Sequence, residues 1–181
     1  MATPLFFSTF EVTRQAFHRT ALAYAIVNLK PIVPGHVLVC STRPAPRLTD
    51  LRTDELAELM RAIQRVGRVV ERAYKADGLT IACQDGVASG QTVPHVHFHL
   101  LPRGQKGDLF AGTQNDAVYV ELEKQEGVLP QDLASATSES HDDSGSSHPL
   151  KMDADAAREP RTLEDMEQEA KWLAGFFNED G

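Results

Sequence analysis

The chain has 181 residues, 41% of them hydrophobic, two cysteines and a formal net charge of −8. That is enough apolar content for one compact domain with a core, with no disulfide framework and no run of 18 apolar residues to span a membrane. Residues 1–120 carry 13 Lys and Arg against 10 Asp and Glu, and residues 121–181 carry 5 against 16, so the acidic remainder argues against a broad nucleic-acid footprint.

The N-terminus MATPLFFSTF lacks the basic flank and small-residue cleavage site of a secretory signal, so a cytoplasmic location is expected, with the nucleus also accessible. Residues 16–29 read as two short strands with a turn around Ala21, and KPIVPGH follows as a Pro/Gly turn. The β-branched HVLVC, 36–40, reads as a third strand containing Cys40, a buried small hydrophobe rather than half of a disulfide. After a proline-punctuated connection, Thr53 is the expected N-cap of a helix. Asp54 and Glu55 lie in its first turn, and Leu56, Leu59, Met60, Ile63, Val66 and Val70 form one apolar stripe. LTIACQ, 79–84, predicts a strand that carries Cys83, DGVASGQTV a glycine-rich loop, and HVHFHLLP, 95–102, a last clear strand. DAVYVELEK is compatible with a strand or a short helix. Residues 125–161, rich in Ser, Asp and Ala, predict a disordered acidic insertion. Residues 162–181 return to helical periodicity behind an approximate capping box of Thr162 and Asp165. The order of elements and their tight early connections predict an antiparallel α+β domain.

On a strand, alternate residues share a face, so His95, His97 and His99 point one way and Val96, Phe98 and Leu100 the other. Three readings of this row stand. The histidines are incidental surface residues. They are zinc ligands with His36 as a fourth nitrogen, against which no acidic residue lies close in sequence to orient them. Or one imidazole is a nucleophile toward phosphorus while its neighbours stabilise phosphate charge. The loop SGQTV favours the third, because Gly90 lets backbone N–H groups approach an anion and Gln91 and Thr92 add side-chain donors.

HVHFHLLPR resembles the histidine-triad motif. Together with VNLKPIVPGHVLVCSTRPAPRLTDL, QRVGRVVE, QDGVASGQTVPHVHFHLLPR and NDAVYVEL, it is similar to the fragile-histidine-triad branch of the HIT superfamily over residues 6–124, and again over 162–177. The resemblance implies a HIT-like α+β fold: an antiparallel sheet of about five strands, one central helix and a C-terminal helix. It divides the chain into a HIT catalytic domain, 1–124, the insertion 125–161, and a C-terminal helix, 162–181, packing on the domain. It implies hydrolysis of dinucleoside polyphosphates, chiefly diadenosine triphosphate to AMP and ADP.

By the same resemblance His97 is the nucleophile that forms a nucleotidyl-histidine. His95 and His99 contact phosphate oxygens and hold His97 in the attacking tautomer, the imidazoles supplying cationic charge, and His36 supports the triad. Asn28 and Gln84 meet the nucleoside, Gly90, Gln91, Thr92 and Val93 form the phosphate loop, and His99 also contacts substrate. Phe6, Ile26 and Leu38 are candidates for the adenine slot, and Tyr119 matches a tyrosine of less defined role. No tightly bound cofactor or metal is implied, Mg²⁺ or Mn²⁺ accompanying the substrate phosphates at most. A homodimer with a continuous sheet is implied, with no nucleic acid and no membrane as partners. A slowly turning nucleotide-binding signalling module and a phosphoramidate hydrolase are the alternatives. The GQ[ST]V loop is shared with the latter, whose Trp-Pro-Pro-Gly tail is absent here.

Overall fold

A computed structural model describes residues 3–138 and 160–177. Five strands form one antiparallel sheet: β3 (Ala16–Arg19), β4 (Ala23–Val27), β5 (Val37–Ser41), β6 (Gly78–Ala82) and β7 (His97–Arg103), in the order β3-β4-β5-β7-β6. A small hairpin precedes them, β1 (Phe6–Phe7) paired with β2 (Phe10–Glu11). Among the described residues three α-helices complete the fold: α1 (Thr53–Tyr74), α2 (Ala117–Ser138) and α3 (Leu163–Phe176). No helix among the described residues is long and apolar enough to cross a membrane.

The register sorts side chains onto two faces. Ala25, Val39 and Phe98 are cross-strand neighbours, as are Val27, Val37 and Leu100. This face meets the apolar stripe of α1 in one core with Leu59, Ile63, Val66 and Val70. The opposite face carries the rows Tyr24–Cys40–His97 and Ile26–Leu38–His99. The alternation expected of the last strand therefore holds, with His97 and His99 away from α1 and Leu100 toward it.

The cap of helix α1 lies one residue before the expected Thr53. Arg52 is the N-cap, and the Glu55 carboxylate accepts its backbone N–H at 2.8 Å. Glu55 can be buried there because Arg43 donates to it twice, at 2.8 and 2.7 Å. The helix ends at Lys75, in the left-handed region. In α3 the expected cap is present: the Thr162 hydroxyl accepts from Asp165 N at 3.2 Å, and Met166, Ala170 and Leu173 are buried.

The segment beginning at residue 125 departs from expectation. Residues 125–138 are not a disordered stretch but the second part of α2. Val118, Leu122, Glu126, Leu129 and Leu133 are all buried and recur at helical spacing, and that packing outweighs Gly127 and Pro130 within the helix. Val118 and Leu122 pack with Ile32, Val33, Leu101 and Phe110, so α2 lies over the histidine face of the sheet. The part of the expected insertion from 139 to 159 lies outside the described residues. Both of its flanks are fastened to the turn after β4. Lys30 pairs with Asp132 at 2.7 Å, and Arg161 donates to Asn28 O at 2.5 Å and from its backbone to Leu29 O at 3.0 Å.

Candidate active site

The sheet, the N-terminal hairpin and α2 bring His36, His95, His97, His99 and Glu126 together, each no more than 2% exposed. Hydrogen bonds fix the tautomers. His97 Nδ1 lies 2.7 Å from His95 O, a carbonyl that can only accept, so Nδ1 carries the hydrogen and the Nε2 lone pair faces the site. A relay sets His99. The Ile32 amide donates to His36 Nδ1 at 3.2 Å, so His36 donates from Nε2 to His99 Nδ1 at 2.9 Å. The remaining hydrogen of His99 is thereby placed on Nε2, aimed into the site.

His95 corrects the reading that all three rings meet phosphate. Ser8 N donates to its Nδ1 at 2.9 Å, and its Nε2 donates to Ser41 O at 2.6 Å. Both ring nitrogens are spent inside the protein. Its carbonyl, not its ring, holds the tautomer of His97. The expected cationic character also needs revision. Burial pushes the His95 imidazole down to about 4; the Ser41 carbonyl opposes this and His97 adds to it. Burial, then His97 and His36, hold His99 well below the ordinary histidine value, against the opposing pull of Glu126. These two rings act as neutral dipoles rather than as charges.

The loop before β7 is braced by its own side chains. Gly90 has φ +88°, a conformation that favours glycine, and a Cβ there would lie 2.8 Å from Gln84 Nε2 and push that side chain aside. Gln91, read as a donor to phosphate, is instead a brace: its Oε1 accepts from Gly86 N at 2.8 Å and its Nε2 donates to Pro46 O at 2.9 Å. Val93 is buried, and its carbonyl accepts from His95 N. Gln84 Oε1 is buried without a hydrogen-bond partner beside the loop. Asn28 accepts from Lys30 N at 2.9 Å; its amide nitrogen lies 3.2 Å from His36 Nε2, a contact without a hydrogen bond because the Nε2 hydrogen is given to His99. Ile26 and Leu38 are buried in the row that ends at His99, whereas Phe6 is 47% exposed and accepts from the Tyr24 hydroxyl through its carbonyl. Tyr119 is half-exposed on α2, outside the buried stripe.

Three site residues had no motif to mark them. The Phe7 ring lies 5.5 Å from His95 and, edge-on, 5.1 Å from His97, and Ser8 holds His95 from a left-handed backbone conformation. Glu126 is the third. Its Oε2 lies 3.5 Å from His97 Nε2 and 3.8 Å from His99 Nε2, and its Oε1 accepts from Thr92 N at 3.1 Å. The Thr92 hydroxyl donates to Glu126 O at 2.7 Å. Burial alone raises this carboxyl, but His97 (once its Nε2 also carries a hydrogen), the Thr92 amide and His99 together hold it down at about 2. The premise that no acidic residue stands near the histidines is thus overturned, and His97, His99 and Glu126 form a candidate metal triad by position. The relay speaks against that use, because a ring nitrogen that carries hydrogen cannot ligate a metal. An N–H donor, a free imidazole lone pair and a loop amide converging on one point suit the oxygens and phosphorus of a phosphate.

Residues 9–106 match the family model described as HIT domain. The chain is 46% identical over 182 residues to the bis(5'-nucleosyl)-tetraphosphatase [asymmetrical] of Schizosaccharomyces pombe, covering 99% of this chain and 98% of that one. It is 41% identical over 165 residues to the bifunctional bis(5'-adenosyl)-triphosphatase/adenylylsulfatase FHIT of Arabidopsis thaliana, covering 91% and 79%. In fold it is similar to the crystal structure of Plasmodium falciparum diadenosine triphosphate hydrolase, with a TM-score of 0.64 and 23% identity over 99% of this chain and 87% of that one.

Proposed function

The chain belongs to the HIT domain family, and from that premise we propose that it is a hydrolase of dinucleoside polyphosphates acting through a nucleotidyl-histidine on His97. The observation that carries the reading is the orientation of His97, whose Nδ1–H is tied to the His95 carbonyl while Nε2 faces the convergence of His99 and the Thr92 amide.

In the first step the Nε2 lone pair attacks the α-phosphorus. A nitrogen–phosphorus bond forms, and the phosphorus–oxygen bond to the departing nucleotide breaks, its electron pair leaving on the nucleotide oxygen. The positive charge that develops on the imidazole is met by the His95 carbonyl. His99 Nε2–H and the Thr92 amide donate to phosphate oxygens, where negative charge grows. The leaving group is a stable polyanion and needs little proton donation. In the second step water attacks phosphorus, the nitrogen–phosphorus bond breaks, and its electron pair returns to Nε2. The water proton passes to solvent, and AMP is released.

Ile26 and Leu38 beside His99 support an apolar seat for the base, and the unpartnered Gln84 oxygen supports a contact to the nucleoside. Gly90, Gln91, Thr92 and Val93 shape the phosphate loop. No resident metal is assigned; Mg²⁺ or Mn²⁺ would arrive with the substrate.

A homodimer is part of the reading. Strand β6 is an edge strand. Its Ile81 is 49% exposed, and Leu56 and Met60 on the neighbouring helix α1 are also exposed. Pairing of β6 with a second copy would extend the sheet and cover this apolar edge.

The test is to incubate wild type and His97→Ala with diadenosine triphosphate and diadenosine tetraphosphate and to separate the products. Wild type is expected to release AMP together with ADP or ATP, and the variant to lose at least about 10³-fold in rate. Equal rates for the two proteins would sink the assignment.

A further inference from the structure

We propose that Glu126 is a resident occupant of the α-phosphate subsite, which α2 must lift away before substrate can react, so that Glu126 selects for ligands charged enough to replace it. The inference rests on the phosphoryl-transfer reading above.

The first argument is coincidence of partners. The carboxylate faces His97 Nε2, His99 Nε2 and Thr92 N, the same three groups that the reaction assigns to the phosphate. Its two oxygens stand where two phosphate oxygens would stand.

The second argument is exclusion. A phosphorus poised for attack lies about 3–3.5 Å from its nucleophile. Glu126 Oε2 already lies 3.5 Å from Nε2. The carboxylate and a reacting phosphate therefore cannot be present together.

The third argument is the oddity of the position. Glu126 is 1% exposed within a stripe whose other members, Val118, Leu122, Leu129 and Leu133, are apolar. Burying a carboxylate is costly unless its charge is met. Here it is met only in part: His97 Nε2, His99 Nε2 and Glu126 Oε2 are all buried without a hydrogen-bond partner. Phosphate oxygens can approach the His99 Nε2–H and the Thr92 amide to charge-assisted hydrogen-bond distance, near 2.8 Å, while phosphorus meets the His97 lone pair. A polyphosphate therefore gains more from the subsite than the carboxylate does, and a weakly charged ligand gains less.

The fourth argument is that the polar contacts holding α2 can be released, exposure of Val118, Leu122, Leu129 and Leu133 being the cost of lifting it. The Lys30–Asp132 ion pair and the Thr92 hydroxyl fasten α2, and Pro130 removes one rung of the helix ladder close to Glu126. Lifting the helix returns Glu126 to water. Apparent affinity is reduced by the fraction of molecules already open, so weakening the occupant or its fastening tightens binding.

The experiment compares wild type, Glu126→Gln and Asp132→Asn by calorimetric titration with AMP and by steady-state kinetics with diadenosine triphosphate. Glu126→Gln is expected to bind AMP at least 10-fold more tightly and to lower KM in step. Asp132→Asn, which touches neither histidine nor loop, is expected to move both in the same direction by a smaller factor, and it carries the test if the first variant folds poorly. Unchanged or weaker AMP binding in both variants overturns the proposal. So does a 100-fold loss of kcat at constant KM in Glu126→Gln, which would place the carboxylate in the chemistry itself. AMP binding needs no turnover: absence of hydrolysis in all three proteins would defeat the hydrolase reading, and the affinities would still judge Glu126.

Discussion

A single hydrogen on His99 decides what the site can do, and it is placed from two residues away. The Ile32 amide reaches His36 and His36 reaches His99, so the proton-bearing nitrogen of His99 is dictated by a backbone N–H on a turn. Removing the middle member should leave the nucleophile intact but free the His99 ring to flip or change tautomer. His36→Ala is therefore expected to lower kcat by about 10²-fold, the scale of losing one preorganised donor. His36→Gln, which can still donate to His99, should recover part of it; steady-state rates for the pair check this. The shared face of His97 and His99 was legible from residues alone, because strand geometry leaves no other arrangement; His95, expected on the same strand, precedes β7 instead. The division of labour among the three was not legible. It depends on Ser8 and Ser41, which are 87 and 54 positions from His95, and on Glu126, 29 and 27 positions from His97 and His99, all of which come near only through tertiary folding.

At the scale of elements, strands flanked by turn residues and the α1 stripe announced themselves through periodicity. The hairpin β1–β2 did not, since two residues per strand carry no period. Helix α2 had a readable signal in Val118, Leu122, Leu129 and Leu133. It was masked by Gly127, Pro130 and the glutamate in mid-stripe, all of which speak for a polar loop when local preference is weighed without packing. The same scale governs assembly. If β6 pairs with its copy, a lysine introduced on its exposed apolar edge should break the pair, because like charges would then face each other across a buried seam. Sedimentation is expected to find wild type at twice the 19.9 kDa chain mass and Ile81→Lys nearer the chain mass itself. Wild type sedimenting as a single chain would contradict the dimer.

For the whole molecule, the buried histidines tie stability to pH. His95 is held at about 4 when folded, against about 6.5 for an unperturbed imidazole, and His99 is shifted the same way. Between these values the unfolded chain binds protons that the folded one refuses. Stability is therefore complete above pH 6.5 and drains away as pH falls toward 4, by up to about 1.4 kcal/mol per pH unit for each ring. Below about pH 4.5, protonation of Glu126 in the unfolded chain extends the decline, since that carboxyl is held at about 2 in the fold. Urea midpoints should hold from pH 7.5 to about 6.5 and then fall toward pH 4.5, and a flat profile throughout would mean that these rings are wetter than their surroundings imply.

Asp132 and Arg161 grip neighbouring residues of a single turn, Asn28 to Lys30. Two stretches far apart in sequence are thereby cinched to the same three residues, which also precede the turn that carries Ile32 and His36. A change at residues 28–30 would slacken both stretches at once, and through them the seat of α2 and of α3.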